Sequence, residues 1–322
     1  EVAISQIVPQ MLNKFKHNRS SYRIMISMFG KHGLDEDIGI ILKMGKDTFG
    51  KQFLSYEAGA YYQNRRLYNK AMEQFILHLI HESNQNGIVE RRILQMSDEE
   101  DALKTIENTL TIASKNNPTK ILNVLSEFYF KQQDYHQAIE IKKQWSASGK
   151  KDFNHWLKFA NNLREERAYN FATEAYEFIL SYKLNSKIIG KALLGLAQTF
   201  EDQITAIEES NLIPYFFDQN IFFEDPFGIY TPISSENLKT SLSIYDSLLT
   251  SPITSPIIAE AYFRLGEIQY KILQDFDQAY YLLNKAFNSK PKKVLKSKII
   301  LRIADVLLAT GKKEEAISFL KE

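Results

Sequence analysis

The sequence contains no cysteine, which excludes disulfide bonds, thiolate nucleophiles, iron–sulfur clusters and cysteine-ligated zinc. Glycine and proline are scarce, with 13 and 8 residues among 322, and this disfavours a turn-rich β architecture. Neither sign of charge dominates, because 40 basic and 39 acidic side chains leave a formal charge of +1. Nucleic-acid-binding proteins usually carry a basic excess. No apolar run approaches the roughly 20 residues that cross a bilayer. These absences favour a helical protein that binds neither nucleic acid nor a metal through cysteine.

What the sequence does contain is a helical period marked by pairs of small residues twelve positions apart. In the clearest copy, Ala160 and Ala172 form the pair, and Trp156, Phe159 and Tyr176 occupy the large positions around it. Small residues are expected at both positions, because two antiparallel helices cross closely there. Four further pairs keep this spacing to within one residue: Gly59 with Ala71, Ser126 with Ala138, Ala304 with Ala316, and Gly266 with Ala279.

Two weaker copies complete the series. Ser27 and Gly39 also lie twelve residues apart, and they predict a close helix crossing near the start of the chain. Between residues 87 and 118 the period is helical but the small residues are not distinct. We expect Ala102, Ile106 and Ala113 on the second helix of that copy.

On these residues the chain resembles the tetratricopeptide repeat family across nearly its whole length. The resemblance implies an all-α fold, a right-handed superhelical solenoid of tandem helix–turn–helix units whose first helices line a concave face. We expect about eight units over residues 1–322, the last one cut short after Ala316, with more chain following in the natural protein. The longer spacing of the C-terminal units resembles bacterial envelope members of the family, which favours an exported, periplasmic protein.

One unit is interrupted by an insertion, which we place at residues 202–238. Ala197 finds its small partner only at Ser241, and Pro214, Pro226 and Pro232 rule out a continuous helix between them. The insertion is rich in aromatic residues. Two interpretations remain open: the aromatic side chains pack on the solenoid, or part of the insertion forms a partner site or a lid. For the second interpretation the candidate residues are Phe216, Phe222, Phe223 and Phe227.

The resemblance implies a non-catalytic scaffold or adaptor that binds a protein or peptide on the concave face. By helical phase, the residues expected to face it are Asn123, Glu127, Leu157, Asn161, Arg164, Gln198, Phe263, Glu267 and Tyr270. The family's clamp for a C-terminal carboxylate is not expected, because Leu157 stands where a lysine would be needed. Two alternatives remain open: a helical support for a catalytic domain outside this sequence, and, less favoured, a binder of single-stranded RNA.

Motifs for chemistry give little support for an enzyme. His78 and His81 could place two metal ligands on one helix face, with Glu82 adjacent, but no third ligand is identifiable. The segment 45–51 matches the glycines and lysine of a phosphate-binding loop, although Gln52 replaces the Ser or Thr that would hold magnesium. An inter-repeat turn is the simpler interpretation of that segment. The sequence therefore predicts no catalytic residue, no metal and no cofactor.

Overall fold

The computed structural model describes residues 10, 14, 16–81, 86–149, 151–204, 234–253 and 255–321. Every regular element in these ranges is helical, which confirms the all-α helical-repeat class. The helices are α1 Arg19–Lys31, α2 Asp35–Phe49, α3 Ser55–Asn64, α4 Tyr68–His81, α5 Asn86–Met96, α6 Glu100–Asn116, α7 Pro118–Lys131, α8 Tyr135–Ala147, α9 Phe153–Glu165, α10 Tyr169–Leu180, α11 Ser186–Glu201, α12 Ser235–Thr250, α13 Ser255–Ile268, α14 Phe276–Asn288, α15 Lys293–Ala309 and α16 Lys313–Leu320. None of these described helices combines the length and the apolar character that a membrane span requires.

The helices divide between two units, residues 1–151 and residues 152–322. In unit 1 the packed pairs are α1 with α2, α3 with α4, α5 with α6, and α7 with α8. In unit 2 they are α9 with α10, α11 with α12, α13 with α14, and α15 with α16. The odd-numbered helix of each pair is called its first helix below.

The turn inside most pairs depends on one residue in the left-handed region. That residue is glycine at Gly33 and Gly311, but it is Arg66, Gln133, Arg167 or Gln274 elsewhere, with φ between +53° and +61°. A left-handed residue after a helix lets the following amide return to the last helical turn, as Asp134 N does to Tyr129 O at 3.0 Å. Because four of the six are not glycine, the residue type does not show which residue of a turn is left-handed.

In unit 1 the predicted close crossings are present in the second and fourth pairs. A Cβ added to Gly59 would lie 2.4 Å from the Phe75 ring, so the helices cannot approach this closely with a larger residue. Ser126 is fully buried, and its Oγ donates to Ala138 O at 2.8 Å. Ala102 and Ile106 are also fully buried on the second helix α6, as expected.

The predicted crossing of Ser27 with Gly39 is wrong. Both residues are exposed, and a Cβ added to Gly39 would meet nothing within 4 Å. The pair packs instead through a different face of the same helices, with Tyr22 and Ile38 fully buried. Gly45 lies inside α2 against Phe53, so the first part of the phosphate-loop-like segment is helix rather than turn.

In unit 2 the interrupted pair closes at the predicted residue. Ser241 is fully buried on α12, and its Oγ donates to Ala197 O on α11 at 3.1 Å. The base of the insertion is held by a backbone hydrogen bond in which Ser234 N donates to Ile204 O at 2.9 Å. Residues 205–233, which include Phe216, Phe222, Phe223 and Phe227, lie outside the described residues.

The third pair of unit 2 shows how its one extra residue is accommodated. The helix α13 continues into a π-helical turn at Gln269–Leu273, and the chain then reverses at Gln274. A π turn takes one residue more than an α turn. The extra residue between Gly266 and Ala279 is therefore absorbed by the end of the first helix, and both small residues still reach the crossing, where Gly266 contacts Leu283.

Candidate functional site

An open groove with a volume of about 540 Å³ lies between α1 and α3, two of the first helices of unit 1. Ile26 and Ala60 contribute to its apolar lining, together with the rings of Tyr56 and Tyr61. Arg23, Lys31, Arg65 and Glu57 bring charge to it. We call this feature the first-helix groove. Its lining of aromatic rings and cationic side chains is chemically suited to a protein segment that carries apolar and acidic groups.

The groove is shaped by contacts that hold its side chains in place. Tyr61 donates a short hydrogen bond to Asp35, and Arg65 lies 3.7 Å from the same carboxylate. Burial, followed by the hydrogen bond to Asp35, raises the pKa of Tyr61 to about 12. Tyr61 therefore stays a neutral donor at physiological pH. On the other side Arg23 pairs with Glu57 at 2.9 Å and joins α1 to α3.

The same kind of contact joins the later first helices of unit 1. Arg92 on α5 donates to Gln63 on α3 at 3.0 Å, and its guanidinium lies 5.5 Å from the Tyr56 ring. Lys131 on α7 pairs with Asp98, just beyond the end of α5, at 2.7 Å. The first helices of this unit thus form one polar face, with the groove at its start.

Two of the predicted residues, Asn123 and Glu127, lie together on this face. Both accept hydrogen bonds from Lys142, at 2.6 Å and 3.0 Å, and the Lys142 side chain is fully buried. Its ammonium group is also 5.2 Å from the Trp145 ring. The sequence singled out Asn123 and Glu127 as candidate partner-binding residues, but it did not indicate the buried lysine that donates to both of them.

In unit 2, Asn161 and Arg164 lie on α9 and make intramolecular contacts. Asn161 is exposed and accepts a hydrogen bond from the buried Tyr176 at 2.5 Å. Arg164 pairs with Asp202, at the end of α11, at 3.0 Å. Leu157, on the same helix, is only 6% exposed and offers little surface to a partner.

The remaining predicted residues divide in the same way between burial and pairing. Gln198 and Phe263 are each 8% exposed, so both serve mainly the packing of unit 2. Glu267 pairs with Arg302 on α15, and the Arg302 guanidinium lies 4.9 Å from the Tyr270 ring. Tyr270 is partly buried within the π-helical turn.

A buried polar network in unit 2 was not indicated by the sequence. Glu201 on α11 accepts a hydrogen bond from the fully buried Tyr245 at 2.5 Å and lies 3.5 Å from Arg264. Arg264 also lies 3.4 Å from Glu260. Burial raises the pKa of Glu201, although Arg264 and Tyr245 act in the opposite direction. Successive first helices of unit 2 are linked by three ion pairs: Arg164–Asp202, Arg264–Glu201 and Arg302–Glu267.

The two histidines that could place metal ligands on one helix face both lie on α4. His78 is 7% exposed and its Nδ1 lies 3.4 Å from Ser55 Oγ, whereas His81 is exposed. Glu82 lies outside the described residues. Within the described ranges, no group of three or more His, Asp or Glu side chains is arranged to hold a metal ion.

The chain is thus a protein of tetratricopeptide-like helical repeats, and the comparison with known families agrees. Residues 260–292, which span most of α13 and all of α14, match the tetratricopeptide repeat model. Residues 41–172 match the model of the ChAPs, described as Chs5p-Arf1p-binding proteins. No curated protein matches the chain. The resemblance to bacterial envelope proteins stays a prediction, since neither family match bears on it.

Proposed function

We propose that this protein is a non-catalytic scaffold that binds a partner protein along the first-helix face of unit 1. The observation that carries the proposal is the first-helix groove, an open volume of about 540 Å³ between α1 and α3. In repeat proteins of this kind, successive units build extended binding surfaces from equivalent helices. Tyrosine and arginine are the residue types most often found at the energetic centres of protein interfaces.

The partner class is suggested by the family match over residues 41–172. The ChAPs are described as binding Chs5p and Arf1p, and the match includes α3, α5 and α7 of the first-helix face. We propose that this chain binds a protein of the Chs5p or Arf1p kind. The docked segment is expected to place apolar side chains over Ala60 and acidic ones near Lys31 and Arg65.

A single substitution in the floor of the groove tests this proposal. Ala60 is half-buried on α3, and Ala60→Glu would add both bulk and a negative charge among the tyrosines. We expect affinity for the partner to fall at least tenfold, which corresponds to about 1.4 kcal/mol. Binding of purified Chs5p and Arf1p to the full chain would be measured by biolayer interferometry, with circular dichroism to check folding.

The matched control is Ile112→Glu, which places the same charge on a second helix. Ile112 is 65% exposed on α6 and does not line the first-helix groove. This variant is expected to bind as the unaltered protein does. Equal losses for both variants, or binding of neither protein to the unaltered chain, would refute the proposal.

A further inference from the structure

A second cavity in unit 1, with a volume of about 390 Å³, lies where the start of α1, the loop from α2 to α3 and the helix α4 meet. Its lining includes Arg19, Phe49, Ser55 and His78, none of which lines the first-helix groove. We call it the His78 cavity. Its volume is near the lower end of the range, about 300–1,000 Å³, that small-molecule sites occupy.

His78 contributes an unsatisfied polar atom to this cavity. The residue is 7% exposed, and its Nε2 is buried without a hydrogen-bond partner among the described residues. On the other side of the ring, Nδ1 lies 3.4 Å from the hydroxyl of Ser55, which is itself 1% exposed. If Ser55 donates to Nδ1, both of these groups are satisfied and Nε2 carries the proton. The cavity is then lined by an N–H donor that needs an acceptor.

The N-terminus of α3 supplies further donors at the same place. Leu54, the residue before the helix, has a left-handed φ of +52° and provides no side-chain cap. Among the described residues, no acceptor contacts the backbone amides of Tyr56 and Glu57. Uncapped amides at a helix N-terminus favour an anion through both hydrogen bonding and the helix dipole.

The charged side chains around the cavity leave a positive balance. Arg23 is matched by Glu57 at 2.9 Å. Arg19 has no carboxylate partner among the described residues, and its guanidinium lies at the cavity, 5.2 Å from the Phe49 ring. Together with the His78 donor and the free amides, Arg19 makes the site suited to a ligand with several acceptor oxygens.

We propose that the His78 cavity binds a small organic phosphate monoester. A phosphate group offers three strong acceptor oxygens and nearly two negative charges, which match donors that approach from α1, α3 and α4. A carboxylate has only two oxygens, so it offers fewer acceptors than a phosphate to the donors of His78, Arg19 and the α3 amides. The rings of Phe49, Phe53 and Tyr56 line the same cavity and provide an apolar wall for the organic part of the ligand.

The test uses the full chain with inorganic phosphate, phenyl phosphate and benzoate as probes, at constant ionic strength. Binding would be followed by isothermal titration calorimetry. We expect saturable one-to-one binding in which phenyl phosphate exceeds phosphate, because of the aromatic wall, and benzoate is weakest. His78→Leu and Arg19→Met should each weaken phenyl phosphate binding at least tenfold.

The matched control is His81→Leu, which removes an exposed histidine one helical turn away and should leave binding unchanged. Thermal melts check that each variant folds. The proposal is overturned if His78→Leu folds and binds as the unaltered chain does, or if benzoate binds as well as phenyl phosphate. A further probe is a vesicle that contains phosphatidic acid. The proposal is also overturned if the protein binds these vesicles and none of the small probes, because that would indicate a membrane surface. No partner protein is present, so the result is independent of the proposed function.

Discussion

Replacing Tyr245 with phenylalanine would measure how strongly the buried network of unit 2 is held together. The Tyr245 ring is fully buried, and phenylalanine keeps it, so the substitution removes one hydroxyl without creating a large cavity. That hydroxyl donates to Glu201 at 2.5 Å, and the Glu201 side chain is only 13% exposed. Hydrogen bonds to charged groups contribute about 1.5–3 kcal/mol. We therefore expect the free energy of unfolding to fall by about 2 kcal/mol.

A matched control exists one repeat earlier. Tyr176 also follows its small residue, Ala172, by four positions, as Tyr245 follows Ser241, and it is equally buried. Its hydroxyl donates to Asn161 at 2.5 Å, but Asn161 is neutral and exposed, so water can replace the lost donor. Tyr176→Phe should cost only about 0.5–1 kcal/mol.

The two variants would be compared by urea unfolding of the full chain, followed by far-ultraviolet circular dichroism. Repeat arrays need not unfold in one step, so hydrogen exchange of the amides in α11 and α12 would provide a local measure. The reasoning predicts a loss in the Tyr245 variant at least twice that in the Tyr176 variant. Equal losses, or the reverse order, would show that burial of the acceptor does not set the strength of these hydrogen bonds.

Substitutions at a helix crossing, at a turn and in the buried network test three other features of the fold. Gly59→Ala should destabilise the protein by about 1–3 kcal/mol, because the added methyl group would overlap the Phe75 ring. Gly39→Ala lies on an open helix face and should stabilise the protein by about 0.5–1 kcal/mol. The urea midpoints of the two variants should therefore move in opposite directions, and movement in the same direction would contradict the assigned crossings. Gln133→Gly should stabilise the turn between α7 and α8 by up to about 1 kcal/mol, since its φ is +61°, and an unchanged or lower melting temperature would count against this. Burial raises the pKa of Glu201 above the usual 4.5, so the folded state binds the carboxyl proton more tightly than the unfolded state does. The contribution of Glu201 to stability should therefore fall as the pH rises from 4.5 through the pKa of the folded state. Comparison with Glu201→Gln across acidic pH isolates this slope, and a contribution that grows with pH would refute the sign.

The small residues at helix crossings were the part of the fold that the sequence predicted best. Ser241 was identified across the insertion, and the structure confirms it, because its Oγ contacts Ala197 O. Small residues are required at these positions for a steric and local reason, because only a small side chain fits where two helices touch. The same rule failed for Ser27 and Gly39, because twelve-residue spacing does not by itself show which face of a helix is buried.

The polar contacts between successive first helices could not be predicted in the same way. Arg264 and Glu201 are separated by 63 residues, and neither lies in a recognisable motif. Their pairing depends on how far one repeat is rotated relative to the next, which small-residue spacing does not reveal. The left-handed conformation of turn residues such as Gln133 could not be predicted for a different reason: it is tolerated at a cost by a residue type that does not favour it, instead of being provided by glycine.

The two units differ in what their first helices can offer a partner. In unit 2, Arg164 is paired with Asp202 and Glu267 with Arg302, so a partner that used these side chains would first have to break existing ion pairs. In unit 1, the side chain of Arg65 is 49% exposed at the groove, and its carboxylate neighbour is 3.7 Å away, a loose contact. Exposed charges at the rim of an interface mainly accelerate association, whereas apolar burial at the centre slows dissociation. On the proposed function, Arg65 therefore governs how fast an acidic partner is captured, and the floor around Ala60 governs how long it is retained.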